Sequence, residues 1–205
     1  MCLTERRILN LSIAGQKMRF EVYAFLIYEY TILIASVLKG EHMKTIIHDL
    51  DESYDSLFKS KCENVIRADG RYAPCQGCFG CWTKHPAQCY LKDALQMVCR
   101  MIGKTDELVI VTDNYYGTYS PSVKNVLDRS IGVSTPFSTY RGKQMHHTLR
   151  YGKKKKLVVY AYGCITEDEK QTFRYMVERN AINYGFQEFE FYNLENLNQM
   201  ENMEL

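Results

Sequence analysis

The sequence predicts a single α/β domain, a three-layer, doubly wound parallel sheet with helices on both faces. Three observations predict it. Strand and helix patterns alternate from Met43 onward, which implies right-handed crossovers onto one sheet. Two runs, ELVIVTD at 107–113 and KLVVYAYG at 156–163, are continuously apolar, as strands buried on both faces of a parallel sheet are. Finally, 205 residues without a Pro/Gly/Ser-rich linker suit one core.

The first 42 residues stand apart from that alternation. FEVYAFLIYEYTILIASVL, residues 20–38, has nearly the length of a membrane span, but Glu21 and Glu29 lie inside it, and a mid-bilayer carboxylate costs about 2.5–3.5 kcal/mol. Lys39-Gly40-Glu41 can be encoded by a purine run resembling a bacterial ribosome-binding site, followed after one codon by Met43. Residues 1–42 are therefore expected to be a translated leader or an extra N-terminal helix, and 43–205 the domain.

Within the domain, KTIIHDL (44–50) is a β-branched strand, and Asp51 and Ser53 are capping candidates for a helix through DESYDSLFKSKC (51–62). ENVIRAD (63–69) is a weaker strand. After a cysteine-rich loop, KDALQMVCRMIGK (92–104) puts Leu95, Val98, Cys99 and Ile102 at helical spacing, with Gly103 as a stop. ELVIVTD leads into YSPSVKNVLDRSI (119–131), a helix with Ser120 at its cap and Pro121 at its first position. KLVVYAYG precedes a capping box, Thr166 with Glu169, which opens a helix carrying Phe173, Met176, Val177 and Ala181 as an apolar stripe and ending at Gly185. EFEFY (188–192) alternates and is expected near a sheet edge. In such sheets ligands bind at the carboxyl ends of the strands near the switch in strand order, here the loops after Leu50, Thr112 and Tyr162.

A formal charge of +2 gives no reason for a nucleic-acid partner, and the Lys153–Lys156 run reads as a solvated strand entrance. No membrane partner is expected either. Eight cysteines, half of them crowded into one loop of a chain this long, suit a reducing cytoplasm better than a disulfide scaffold.

APCQGCFGCWTKHPAQC (73–89) spaces Cys75, Cys78, Cys81 and Cys89 as C-x2-C-x2-C-x7-C. The first three follow the compact ferredoxin-type rhythm that wraps a short peptide around one [4Fe–4S] cubane, with the fourth returning from farther along, and Gly77 and Gly80 ease the tight turning. Zinc, a redox dithiol and thiols kept for packing are the alternatives. Cys99, on an apolar helical stripe, and Cys164, after a buried strand, read as core residues. His85 reads as a surface-loop residue, the adjacent His146 and His147 as a poor pair for one metal, and Trp82 as a shield for a cluster or a subunit contact.

Three blocks, PCQGCFGCWTKHPAQCYLKD (74–93), DELVIVTDNYYGTYSPSVKNVLDRSI (106–131) and MHHTLRYGKKKKLVVYAYG (145–163), resemble the flavodoxin-like NAD(P)H-dependent FMN reductases, including the iron–sulfur flavoproteins. The resemblance implies a flavodoxin-like fold and a cytoplasmic, homo-oligomeric flavin-dependent oxidoreductase. Its cofactors would be FMN and, in the cysteine loop, a [4Fe–4S] cluster on Cys75, Cys78, Cys81 and Cys89; its electron donor would be a reduced nicotinamide or ferredoxin. The family pattern is a strand, a flavin loop ending in aromatic-Gly, a Ser, and a helix carrying Lys and Asp-Arg. Thr112, Asp113, Asn114, Tyr115, Tyr116, Gly117, Thr118 and Ser120, then Lys124, Asp128 and Arg129, occupy those places. With Gly163 after the next strand, the residues from Thr112 to Ser120 named here are the cofactor-binding candidates; no catalytic residue is implied. A tyrosine of this loop can lie against an isoalloxazine ring, Gly117 permits close backbone approach, and Thr118 and Ser120 can meet ring heteroatoms.

One stretch departs from the pattern. Members that hold FMN firmly place a Gly/Ser/Arg/Asn/Thr-rich turn after the first strand, where backbone N–H groups cradle the phosphate. Here HDLDES (48–53) supplies Asp49, Asp51 and Glu52. A carboxylate about 4 Å from a unit negative charge repels it by about 1 kcal/mol in water and about 4 kcal/mol at an intermediate dielectric. A flavodoxin-shaped metal-binding or assembly module that has lost FMN is the alternative function.

Overall fold

The computed structural model describes residues 42–202, so the leader or extra helix expected over 1–42 lies outside the described residues. In chain order the strands are β1 (Lys44–His48), β2 (Asn64–Arg67), β3 (Glu107–Asp113), β4 (Ser134–Arg141), β5 (Gln144–Leu149), β6 (Lys154–Tyr162) and β7 (Phe186–Asn193). The α-helices are α1 (Ser53–Lys59), α2 (Val98–Lys104), α3 (Pro121–Arg129) and α4 (Glu167–Tyr184).

Five strands form one parallel sheet in the order β2-β1-β3-β6-β7. With the β4–β5 ribbon set aside, this is the order of a flavodoxin-like doubly wound sheet, and its switch in direction lies between β1 and β3. The register lines up rows of β-branched side chains. Ile46, Val109 and Val158 share one row and Ile47, Ile110 and Val159 the next. The first row packs with Phe58 of α1 and with Leu194 and Met200 near the C-terminus. The second packs under Val98 of α2, Val123 of α3 and Phe173 of α4. Each such side chain, fully buried, contributes about 1.5–3 kcal/mol of transfer free energy, so the continuous apolar runs are explained by burial on both faces.

The signals of α3 and α4 act where the sequence puts them. Ser120 Oγ accepts from Val123 N at 3.3 Å at the start of α3, behind Pro121. Thr166 and Glu169 form a complete capping box on α4, and Gly185 closes that helix at φ +84°, a conformation that favours glycine. β7 is an edge strand, as its alternation suggests.

Six expectations change. Neither Asp51 nor Ser53 caps α1, whose cap position is Glu52 with no side-chain hydrogen bond. Gly103 does not stop α2 but lies inside it, the helix running to Lys104. Helix α2 begins at Val98 rather than near Lys92, because Asp93 folds the chain into a turn first, accepting Leu95 N on its carboxylate at 3.0 Å and Gln96 N on its carbonyl at 3.0 Å. Lys154 is not a solvated entrance residue: it is buried, donates to the Tyr184 carbonyl at 2.6 Å, and burial draws its pKa down to about 8. Cys164 is exposed rather than in the core, because β6 ends at Tyr162 and the chain has already left the space between the layers. The antiparallel β4–β5 ribbon is an addition that the alternating pattern did not anticipate. Among the described residues no helix is long and apolar enough to cross a membrane.

Candidate functional site

The carboxyl ends of β1, β3 and β6 converge on one side chain, Asp49. Its Oδ2 accepts from Thr112 Oγ1 at 3.2 Å and from Asp113 N at 3.0 Å, and its Oδ1 accepts from Tyr162 Oη at 2.9 Å. Burial, with the Asp49 charge adding to it, raises the Asp113 carboxyl pKa. Burial and then Asp49 push the Tyr162 phenol far up. Thr112 also accepts from Ser120 N at 2.9 Å, and Ser120 caps α3 with its hydroxyl. Two of the cofactor-binding candidates, Thr112 and Ser120, are therefore buried and spend their polar atoms within the protein.

The rest of that loop is held open by its own hydrogen bonds. Asn114 Nδ2 donates to the Cys164 carbonyl at 2.8 Å, Asn114 Oδ1 accepts from Gly117 N at 3.0 Å, and Tyr115 N donates to the Thr118 carbonyl at 3.0 Å. Thr118 Oγ1 donates to Met176 Sδ at 3.2 Å. Tyr115 and Tyr116 stand edge to face, ring centroids 5.0 Å apart, and are 49% and 79% exposed, so an aromatic surface is presented to solvent. Gly163 sits at φ +90°, and a Cβ there would come within 2.5 Å of Asp113 Oδ1. Gly163 thus lets the loop after β6 pass close to Asp113. This end of the site fits a flat ring.

The first loop does not fit the phosphate of a flavin nucleotide. A phosphate cradle needs free N–H groups at a helix start. Here Asp51 Oδ1 already takes Ser53 N at 2.8 Å and the Ser53 hydroxyl, and α1 is only seven residues long with Asp55 in its first turn. The nearby cations are engaged with these acids. Arg67 reaches Glu52 at 3.5 Å and Asp55 at 3.7 Å, and the buried His48 lies 3.3 Å from Asp55. Burial, against the pull of Asp55, lowers the His48 pKa.

The four cysteines of the compact motif are brought together. Cys75, Cys78, Cys81 and Cys89 line one cavity of about 180 Å³ with Phe79, Leu91, Ile131 and Arg129. The peptide turns around it through left-handed backbone at Gly77 (φ +61°) and Phe79 (φ +54°). Cys75 and Cys78 are exposed, Cys89 is half-buried and Cys81 is buried. A hydrogen bond with Cys99 brings the Cys81 thiol down to about 7, toward the thiolate that metals bind; that same bond, with burial, pushes Cys99 up. Among the described residues no three His, Cys, Asp or Glu side chains gather closely enough for a single ion. Zinc asks each sulfur to stand about 2.3 Å from one centre, whereas a cubane puts each ligand on a different iron and spreads the sulfurs apart.

Arg129 forms the buried wall of this cavity, fully shielded from solvent. Its Nε donates to Cys89 Sγ at 3.1 Å, Nη1 to Asp93 Oδ2 and the Ala73 carbonyl, both at 2.8 Å, and Nη2 to Asp93 Oδ1 at 2.7 Å. Trp82 closes the neighbouring edge, donating its indole N–H to the Ile131 carbonyl at 3.0 Å and lying between Phe79 and His147 at 5.1 and 4.7 Å. His85 is exposed. Sequence spacing carried no sign of the two tertiary clasps, Asp49 with Tyr162 and Arg129 with Cys89. The family pattern marked Arg129, but nothing in it pointed to a sulfur 40 residues away.

The model of the NADPH-dependent FMN reductase family matches residues 38–150, more than half of the chain. None of the curated proteins matches it. Among solved structures, the chain is similar to an azoreductase from Bacillus anthracis strain Sterne, at 12% identity and a TM-score of 0.49, over 78% of this chain and 90% of that one. It is similar to the NAD(P)H:quinone oxidoreductase from Methanothermobacter marburgensis, at 15% identity and a TM-score of 0.47, over 74% and 86%. It is also similar to the flavodiiron core of Flv1 from Synechocystis sp. PCC6803, at 9% identity and a TM-score of 0.41, where it covers 88% of its own length but 38% of that longer chain.

Proposed function

The chain belongs to the NADPH-dependent FMN reductase family, and on that premise we propose that it is a cytoplasmic, flavin-dependent oxidoreductase whose Cys75, Cys78, Cys81 and Cys89 hold a [4Fe–4S] cluster. A reduced nicotinamide or a ferredoxin would be its electron donor. The observation that carries the reading is the cavity lined by all four cysteines, walled on its inner side by an arginine that donates to one of them. Sulfur ligands around a space, rather than around a point, suit a cubane better than zinc. A flavin ring would lie against the Asp113–Thr118 loop, beside the exposed Tyr115 and Tyr116, and its phosphate would be held away from the first loop. The cofactors supply the electron chemistry; the protein supplies position and tuning. Self-association is part of the proposal, supported by Phe137, Tyr140 and Met145, exposed on the β4–β5 ribbon at 72%, 73% and 67%. A two-stranded ribbon alone is marginally stable in water.

A second reading is favoured by Asp49, Asp51 and Glu52: a metal-carrying or assembly module of the same fold that holds no FMN. Purification without oxygen, followed by absorption spectroscopy, iron and acid-labile sulfide analysis and titration with FMN, tests both. Iron, sulfide and flavin uptake together support the oxidoreductase. Iron and sulfide without flavin uptake favour the module. Colourless protein that lacks both and leaves FMN fluorescence unchanged removes the first reading.

A further inference from the structure

We infer that Arg129 is a tuning residue for the cysteine-ligated cluster, aiming its Nε–H at Cys89 Sγ so as to favour the cluster's reduced state. The inference rests on the cluster reading above and goes on to say which side chain of this protein sets the cluster's behaviour. Four of the five guanidinium N–H groups have partners: Cys89 Sγ, the Ala73 carbonyl and both oxygens of Asp93. The two-pronged pairing with Asp93 fixes the plane of the guanidinium, and the Ala73 bond fixes its depth. Of the two N–H groups that remain, the Nε–H is directed at sulfur.

Stability gives no strong reason for this arrangement. A fully buried arginine carries a large desolvation cost that its partner roughly offsets, and well-packed apolar residues often do as well or better. The arginine also lies against the cavity that all four cysteines line. When a thiolate-bound cluster gains one electron, part of the added charge falls on the ligand sulfurs. An N–H donor there stabilises the more negative state and raises the reduction potential. Asp93 sets the size of the effect, because its carboxylate neutralises the guanidinium; the pairing is close enough that the Arg129 hydrogen bonds hold the Asp93 carboxyl below the usual range.

The experiment is a redox titration with dithionite, followed by EPR, of anaerobically reconstituted full-length protein and two variants. Arg129→Lys keeps a cation but loses the fixed Nε–H, and the potential falls. Asp93→Asn keeps an oxygen for Leu95 N and removes the countercharge, leaving the guanidinium unneutralised, and the potential rises. A purely structural clasp predicts something else: both variants hold less iron, and their remaining clusters titrate at the wild-type potential. Pulsed EPR of reduced wild type labelled with 15N-arginine reads the contact directly, as a hyperfine coupling to one nitrogen that Arg129→Lys lacks. If Arg129→Lys does not fold, the Asp93→Asn shift and the wild-type coupling decide. Wild type that binds a cluster but shows no 15N coupling and no shift in either direction overturns the role of Arg129 alone. Wild type that takes up neither iron nor sulfide overturns the cluster reading, and this inference with it.

Discussion

In the cysteine loop a buried cation donates to one of four cysteines that line a cavity, whereas at the tips of β1, β3 and β6 a carboxylate is clasped by the donors that a ligand would otherwise meet. The two regions use the same currency, charge-assisted hydrogen bonds, to opposite ends. Arg129 takes up internal acceptors, Cys89 Sγ among them, beside the cavity that the cysteines line. Asp49 takes up Thr112, Asp113 N and Tyr162 and leaves an acidic surface at the loop that relatives with a phosphate cradle keep open. Membership of a family fixes the sheet and the loop positions; what each loop can hold depends on whether its polar groups are spent inside the protein.

The largest expected effect tests the cysteine side. Cys78→Ser should remove most of the iron and sulfide while thermal unfolding stays close to wild type, because the sheet core is built elsewhere, from Val109, Val111, Val158 and Val159 among others. Serine offers a ligand that is hard to deprotonate and poorly matched to iron. Stoichiometric zinc without sulfide in wild type would instead favour a single-ion site.

Next in size, Asp49→Ala should leave metal content unchanged and cost about 1–3 kcal/mol in urea unfolding, the penalty of leaving buried donors without an acceptor. Tyr162 Oη and Asp113 N would be the donors left behind, since Thr112 Oγ1 keeps the Asp113 carbonyl at 3.1 Å. If the same substitution emptied the cysteine cavity of iron, the two regions would be one coupled site and the contrast between them would fail.

How much of this the sequence disclosed follows from which interactions are local. The Ser120 and Thr166 caps, the Pro121 start and the Gly185 stop are decided within one helical turn, and they stand where the pattern puts them. The buried strands announced themselves by continuous apolar runs. The β4–β5 ribbon was missed although its turn carries a signal: Gly142, at φ +61°, and Lys143 lie between two polar strands that have no apolar alternation to reveal them. Lys154 was misjudged because a run of four lysines looks solvated, yet its Nζ is buried on the Tyr184 carbonyl. The four cysteines of the motif, Cys75, Cys78, Cys81 and Cys89, all line one cavity. The Arg129–Cys89 and Asp49–Tyr162 contacts span 40 and 113 residues and depend on side-chain direction at strand and helix ends, which periodicity does not encode.

A smaller effect concerns the acids that are not clasped. Replacing Asp51 and Glu52 by Asn and Gln should strengthen FMN binding only modestly at low salt, since it removes exposed carboxylates that repel a phosphate held away from their loop. Salt should shrink the gain, as screening at 0.15 M reaches about 8 Å. Riboflavin, which has no phosphate, should bind wild type and variant alike. A gain shared by riboflavin would mean that the loop acts on the ring and not on the phosphate.

The smallest effect lies in the pH dependence of the strand-tip region. His48 is buried at the end of β1, its ring 4.8 Å from Phe58, with Asp55, Asp49 and Arg67 as the charges around it. Burial lowers its pKa more than the two aspartates raise it, so the folded protein resists a proton that the unfolded chain accepts near pH 6.5. In the window below that value the unfolded state therefore binds more protons, and stability falls as the pH is lowered. His48→Leu removes the group while keeping an apolar side chain against Phe58, and the loss of stability between pH 7.5 and 5 should be smaller in the variant than in wild type by urea midpoints. Equal losses would mean that His48 takes up its proton as readily folded as unfolded, and a smaller loss in wild type that Asp55 holds it as a charged pair, whose imidazole would soften the acidity of the first loop and narrow its contrast with the cysteine cavity.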